Sequence, residues 1–324
     1  MLPCQAPAPA WEQYYKPGMK QAKNNIPIIC LTDSCNQRCL FCSRPGEKLR
    51  YGEKRIRDVI REFKETVCFE GGEPTLAPDV LRWVRYAAAN GVRDRVLVTN
   101  GFGLEKPETA KRYLAAGVTM FNVNLPAHNA ALFDKLTRTK GNFQKRVAAV
   151  KNLIALAGPG AVRVTLVLNT VILKSLPAYA RFIAKEFPGL FYLELNFPKL
   201  MGGCAERPAL VPTLAAAEPH LLKAFRILEA AGVNFLADSV PLCYMKGFER
   251  HSIDAHMLAR GERRHYFGEK ERTPRCAACA LAAVCSGPRK DYVARFGDAE
   301  LRPRKASPAR LLAGLRAGFS GRPA

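Results

Sequence analysis

No stretch of eighteen or more apolar residues occurs in the 324-residue chain, so no helix of this sequence is expected to span a membrane. The opening residues, Met1 to Gln5, lack a basic segment followed by an apolar one, so there is no secretory signal to read. Acids are scarce: 28 Asp and Glu stand against 50 Lys and Arg, a formal charge of +22. That excess permits an anionic partner but names none, because a basic surface also keeps a protein soluble. There is no low-complexity segment and no internal repeat beyond an alternation of short apolar runs with helical patterns. Hydrophobic residues make up 48% of the chain, too many for a disordered protein and enough for a large core. Without a signal, the chain is expected in the reducing cytoplasm, where its 11 cysteines are not expected to pair as disulfides. Clustered thiols in that setting most often bind metal, so their spacing becomes the question.

Six short apolar runs read as strands buried on both faces: 26–31, 66–69, 95–99, 119–124, 163–168 and 191–196. Helical patterns lie between them. Pro78 to Asn90 and Pro107 to Ala116 each begin with proline and stop at glycine. Asn142 to Leu156 and Leu176 to Phe187 follow, and Leu214 to Ala231 completes a sixth unit. Serial strand–helix units predict parallel βα repeats, in a barrel or an open doubly wound sheet. Leu200–Pro212 reads as a loop. From Leu242 to about Tyr292 the sequence is irregular, charged and cysteine-bearing, and a basic tail follows from Arg302.

Cys35, Cys39 and Cys42 form C-x3-C-x2-C directly after the first strand. Loops at the C-terminal ends of parallel strands are where such folds place active sites. Soft thiolates favour iron–sulfur or zinc. Three ligands rather than four leave one coordination position open, and open positions do chemistry. Zinc is the weaker reading because the first histidine in the chain is His128. Three cysteines among Asn36, Gln37 and Arg38 do not look like core, whereas Cys30 and Cys68, inside apolar strands, do.

This spacing, with Phe41 just before the last cysteine, resembles the signature of the radical S-adenosylmethionine (SAM) enzymes. The resemblance extends to Gly71-Gly72-Glu73-Pro74 after the second strand, Thr99-Asn100-Gly101 after the third and Asn169-Thr170-Val171 after the fifth. It covers about residues 26 to 231 and implies a partial (β/α)6 TIM-like barrel. It also implies a [4Fe–4S] cluster on the three cysteines, whose open iron chelates the amino and carboxylate groups of SAM. One electron then cleaves SAM, and the resulting radical abstracts hydrogen from a substrate. By the same resemblance, Phe41, Gly71, Gly72, Glu73, Asn122, Asn124 and Asn169 are candidates to contact SAM. Flavodoxin or ferredoxin is the implied kind of electron donor. Ordinary turn chemistry remains the alternative for the three asparagines.

Cys276, Cys279 and Cys285 form C-x2-C-x5-C, with Cys243 upstream. Four thiolates can close a cluster completely. This stretch resembles the auxiliary-cluster extensions of the family, called twitch and SPASM, but no cysteine follows Cys285, so one auxiliary [4Fe–4S] cluster is expected. A zinc tetrathiolate is the alternative. Cys204 is a candidate cluster ligand, hydrogen-atom donor or substrate contact, with a bystander thiol preferred. Cys4 is incidental, and His251, His256 and His265 are expected to be solvated. Glu194 and Asn196 are candidates to face the substrate. The expected division is an extension at 1–25, a core barrel at 26–240, a small irregular cluster-binding segment at 241–300 and a basic tail at 301–324. A peptide or protein side chain is the first expectation for the substrate. A sugar, nucleoside or amino-acid derivative is the alternative. A non-catalytic iron–sulfur protein that binds nucleic acid or senses redox state is the third reading, but no nucleic-acid motif is present.

Overall fold

The computed structural model describes residues 27–44, 48, 50–259, 261, 268–305, 309, 311 and 315. The expected extension at 1–25, most of the basic tail, Cys4 and His265 lie outside the described residues.

Seven strands form one parallel sheet in chain order: β1 (Ile28–Thr32), β2 (Thr66–Gly71), β3 (Asp94–Thr99), β4 (Met120–Asn124), β5 (Val162–Val167), β6 (Tyr192–Asn196) and β7 (Phe235–Asp238). The connections carry α1 (Glu53–Glu62), α2 (Val80–Ala89), α3 (Pro107–Ala116), α4 (Ala130–Thr137), α5 (Phe143–Ala157), α6 (Thr170–Leu173), α7 (Leu176–Glu186), α8 (Gly203–Glu206) and α9 (Leu214–Ala230). This is the expected α/β architecture with one correction: the sheet has seven strands, not six. β7 is four residues long and ends on an aspartate, too little for a hydrophobic pattern to announce. Its pairing with β6, Leu193 opposite Phe235 and Asn196 opposite Asp238, fixes it in the sheet. The segment 200–212 is likewise more than a loop, since it holds α8 and a single 3-10 turn.

Strand side chains alternate between two faces. Ile29, Phe69, Leu97, Phe121, Val164 and Leu195 are buried, and helix residues such as Trp83, Phe133 and Tyr179 share their core. A fully buried side chain of this kind contributes about 1.5–3 kcal/mol. The other face is not the apolar layer that the sequence suggested. Cys68, Glu70, Asn122, Arg163, Tyr192 and Glu194 line a cavity of about 1260 Å³ inside the curve of the sheet. Cys68 is therefore a cavity-wall residue rather than a purely packed core cysteine, whereas Cys30 is buried as expected.

Beyond β7 the chain forms α10 (Ile253–Ala259), several 3-10 turns and α11 (Lys290–Phe296). Buried ion pairs seat this extension on the barrel. Lys270 Nζ donates to Asp238 of β7 at 3.0 Å and to both oxygens of Asp254 in α10 at 2.7 Å. Ser286 Oγ donates to Asp254 at 2.5 Å. Arg289 joins Glu269 at 2.7 Å and Asp291 at 2.9 Å. Such groups fix geometry more than they add stability, because desolvation offsets most of their attraction.

Candidate active site

The loop after β1 carries Cys35, which is exposed, and Cys39 and Cys42, which are half-buried. Neighbouring strand ends grip this loop by its backbone. Arg38 N and Leu40 N donate to Thr137 O and Leu136 O at the end of α4, at 3.1 and 2.8 Å. Gly72 N donates to Thr32 O at 2.7 Å and Glu73 N to Ser34 O at 2.8 Å. Gly203 N donates to Cys42 O at 2.8 Å. The glycines are obligatory here. A Cβ on Gly71 would sit 2.3 Å from Thr32 O, one on Gly72 2.2 Å from Ser34 O, and one on Gly203 2.1 Å from Leu40 O. The close approach that Gly71 and Gly72 permit is thus to the start of the cysteine loop itself.

Polar groups order the thiols. Asn100 Nδ2 donates to Asn36 Oδ1 at 2.7 Å and lies 3.9 Å from Cys35 Sγ. Gln37 N donates to Cys35 Sγ at 3.4 Å, and Cys39 Sγ donates to Gln37 Oε1 at 3.6 Å. Burial, helped by the neighbouring Cys42, pushes the Cys39 thiol up to about 12, and burial also raises Cys35. Both are thiols at neutral pH in the bare protein, so a bound metal would displace their protons.

The candidate SAM contacts separate into groups. Glu73 is buried, and its carboxylate accepts from Thr75 N at 3.1 Å, Thr75 Oγ1 at 2.8 Å, Thr99 Oγ1 at 2.5 Å and Asn100 N at 2.6 Å. It braces the β2 and β3 loops together. Burial raises its pKa, against the pull of those hydrogen bonds. Asn169 is fully buried as the N-cap of α6, accepting from Val171 N at 3.1 Å and Ile172 N at 3.2 Å while donating to Val167 O at 3.0 Å. Its amide is engaged at the helix start. Phe41 is buried in the hydrophobic core. Asn122 lines the cavity, where its amide nitrogen donates to Thr165 Oγ1 and its amide oxygen accepts from Arg163 Nη2 at 3.1 Å. Asn124 Nδ2 donates to Thr165 O at 3.3 Å.

Sequence reasoning missed Arg146. This α5 residue is buried and donates to Asn124 O, with its guanidinium 5.2 Å from the centre of the Phe133 ring. Burial lowers its pKa to about 10, while Glu73, Cys39 and Cys35 act in the opposite direction. It supplies a positive charge beside the thiols. The signal was present: Phe143, Arg146, Val147 and Val150 share one buried helical stripe, so an arginine occupies an apolar position.

Cys204 is buried in the core behind the cysteine loop, which fits the bystander reading. The expectation of solvated histidines needs correction for two of the three. His251 stacks on Phe235, ring centres 3.8 Å apart, and His256 is buried in the cavity wall with Nε2 2.6 Å from Arg250 O. Glu194 lines the cavity, and Asn196 shares its face of β6.

Cys243, Cys276, Cys279 and Cys285, far apart in sequence, line one small pocket with Arg272, Arg275 and Arg302 around them. Arg304 N donates to Cys279 Sγ at 3.4 Å. Burial pushes Cys285 up to about 11. Among the described residues, no three His, Cys, Asp or Glu side chains converge tightly enough for a single metal ion. A polynuclear cluster sets a different requirement, since each thiolate takes a separate iron.

Residues 29–183 match the family model described as Radical SAM superfamily. The GTP 3',8-cyclase of Synechococcus elongatus is 34% identical over 186 residues, covering 53% of this chain and 54% of that protein. The mycofactocin maturase MftC of Mycobacterium tuberculosis is 33% identical over 146 residues, covering 43% of this chain and 36% of that protein. The chain thus spans about half the length, or less, of these curated relatives. A solved structure, native anSMEcpe with bound AdoMet, superposes with a TM-score of 0.53 over 74% of this chain and 67% of that one, at 13% identity, a likeness of fold alone. The matched family segment contains the three-cysteine loop, the Gly71-Gly72-Glu73 turn and the Thr99-Asn100-Gly101 ending. Over residues 29–183 this chain is matched to the radical SAM superfamily.

Proposed function

We propose that the chain is a radical SAM enzyme that holds a [4Fe–4S] cluster on Cys35, Cys39 and Cys42 and abstracts hydrogen from a substrate in the barrel cavity. When bound, the cluster and SAM supply a one-electron cleavage that yields a hydrogen-abstracting radical. One observation carries the reading: three thiols share one loop, gripped on both edges by glycine backbones. Arg146 sets a positive charge beside them, suited to an anionic cluster and to the carboxylate of SAM. Asn122 and Asn124, on the strand that faces Arg163 and Thr165, are candidates for the ribose.

The proposed division is a core at 26–240 and an extension at 241–300. In the extension, Cys243, Cys276, Cys279 and Cys285 would hold one auxiliary [4Fe–4S] cluster of the twitch/SPASM kind, full ligation suiting it to electron transfer. A small acidic carrier such as flavodoxin or ferredoxin is the proposed reductant. A peptide side chain is the proposed substrate, with a small molecule as the second reading. The relatives span both, since one is named a maturase and another a GTP cyclase.

The test is iron and sulfide content after anaerobic reconstitution, together with formation of 5′-deoxyadenosine. Wild type should hold about eight irons, and Cys35, Cys39 and Cys42 all changed to alanine should hold about four and form no 5′-deoxyadenosine. A wild-type protein that retains its iron yet never cleaves SAM under reductant would sink the reading.

A further inference from the structure

The cavity wall contains one carboxylate with no partner. Glu70, the last inward-facing residue of β2 before Gly71, lines the cavity, and its carboxylate makes no hydrogen bond or ion pair with any described residue. The cations around it are already engaged. Arg163 donates to Tyr192 Oη at 2.8 Å and pairs with Glu194 at 3.7 Å. Lys199 pairs with Glu269 at 2.8 Å, and Arg44 Nη1 donates to Cys30 Sγ at 3.8 Å. Burial pushes the Glu70 carboxyl up, and Arg44, Lys199 and Arg163 offset this only in part.

Two further observations point the same way. Asn196, on the inner face of β6, keeps its amide oxygen buried without a donor. At the rim, Lys199, Lys270 and Arg289 are matched by four carboxylates, Asp238, Asp254, Glu269 and Asp291. The cations that line the cavity, Arg93, Arg163, Lys199, Lys270 and Arg289, are each paired with another carboxylate, which leaves none of them to Glu70. A half-buried carboxylate in a cavity wall with no cation paired to it is a recognition element for a ligand that arrives with the missing donors.

Resting on the enzymatic reading above, we infer that the substrate carries a protonated amine and that Glu70 binds it inside the barrel. The same ammonium chemistry fits a lysine-like side chain, an amino terminus or a small aminated molecule. It excludes a substrate whose reacting end is wholly neutral or anionic.

The test uses n-butylamine and its neutral counterpart n-butanol, titrated calorimetrically into the full-length reconstituted protein with and without SAM. Wild type should prefer the amine by about tenfold or more, the range of a charge-assisted hydrogen bond. Glu70→Gln should reduce the preference to about twofold or less, while the surface control Glu108→Gln should keep it. If Glu70→Gln melts early, Glu70→Asp, which withdraws the carboxylate by one methylene, should lower the preference in a folded protein. No amine preference in wild type, or a preference that survives in Glu70→Gln, overturns the inference. So does a Glu70→Gln defect confined to SAM affinity, which would assign the carboxylate to the charge of SAM itself. The 5′-deoxyadenosine assay reports separately on the enzymatic reading, because amine binding requires no turnover.

Discussion

The two cysteine groups are built on opposite plans. The first lies on a single loop of eight residues, with Cys35 exposed and amides from Asn36, Gln37 and Asn100 around it. The second gathers cysteines from Cys243 to Cys285 into a pocket walled by leucine, proline and arginine. Three thiols on a partly exposed loop leave room for a further ligand, whereas four thiols in a small pocket do not. Metal sites that react keep a position open, and sites that hold structure or relay electrons close it. The same chain can therefore carry a reactive site and a closed one, distinguished by where the fold leaves space.

The glycines offer the sharpest way to separate the two. A Cβ on Gly72 would sit 2.2 Å from Ser34 O, and one on Gly287 would sit 1.9 Å from Glu271 O beside the second pocket. Backbone oxygens cannot swing aside as a flexible side chain can. Gly72→Ala should therefore strip iron from the first site alone, and Gly287→Ala from the second alone. Each should cost about 4 kcal/mol or more, the range that only steric or burial faults reach. Iron per chain, with melting temperature beside it, reads the result. Loss of both sites from either change would mean that the two regions are one cooperative unit.

Next in size is Lys270. It is almost wholly buried and neutralises Asp238 and Asp254, the link between β7 and the extension. Burial alone would lower its pKa, but the two acids outweigh that and raise it. Lys270→Met leaves two buried carboxylates facing each other and should cost about 3–5 kcal/mol. Because Ser286 beside Cys285 bonds the same Asp254, the second site should loosen while SAM binding at the first survives. Denaturant unfolding and SAM titration on one preparation measure both halves.

How much of this was legible in the sequence follows physical range. The C-x3-C-x2-C loop, the glycine pair and the first six strands are local features, and local spacing exposes them. Helix boundaries at Pro107 and Leu176 agree because proline and glycine punctuation acts over a few residues. β7 was hidden because four residues carry no period. Arg163 was read only as the start of an apolar strand, although its guanidinium reaches Tyr192 and Glu194 across the sheet. The bracing role of Glu73 depends on Thr99 and Asn100, 26 and 27 residues away, and no spacing rule encodes that.

A smaller effect tests whether charge matters at the first site. Arg146→Met keeps most of the apolar stem in the α5 stripe and removes the guanidinium that bonds Asn124 O. A hydrogen bond to a charged group contributes about 1.5–3 kcal/mol, and the methionine recovers part of that through packing. The fold should survive with a loss of about 2 kcal/mol. First-site iron should leak faster on desalting, with second-site iron unchanged. Equal retention at both sites would remove Arg146 from the description of the site.

The smallest expected change decides between two roles for one residue. Asn169 resembles a family position that would face SAM, yet its oxygen accepts from Val171 and Ile172 and its amide nitrogen donates to Val167. An N-cap lost to alanine costs about 1 kcal/mol. Asn169→Ser retains a hydroxyl that can accept at the helix start and should recover most of that loss. If capping is the whole role, Asn169→Ala lowers the melting temperature by a few degrees, the shift that about 1 kcal/mol produces in a domain of this size. SAM affinity then stays unchanged. If the side chain instead swings toward SAM when the cofactor arrives, affinity falls in both variants alike, because neither a methyl nor a hydroxymethyl reaches as far as the amide. Measuring stability without SAM and affinity with it separates the helix from the ligand at one position.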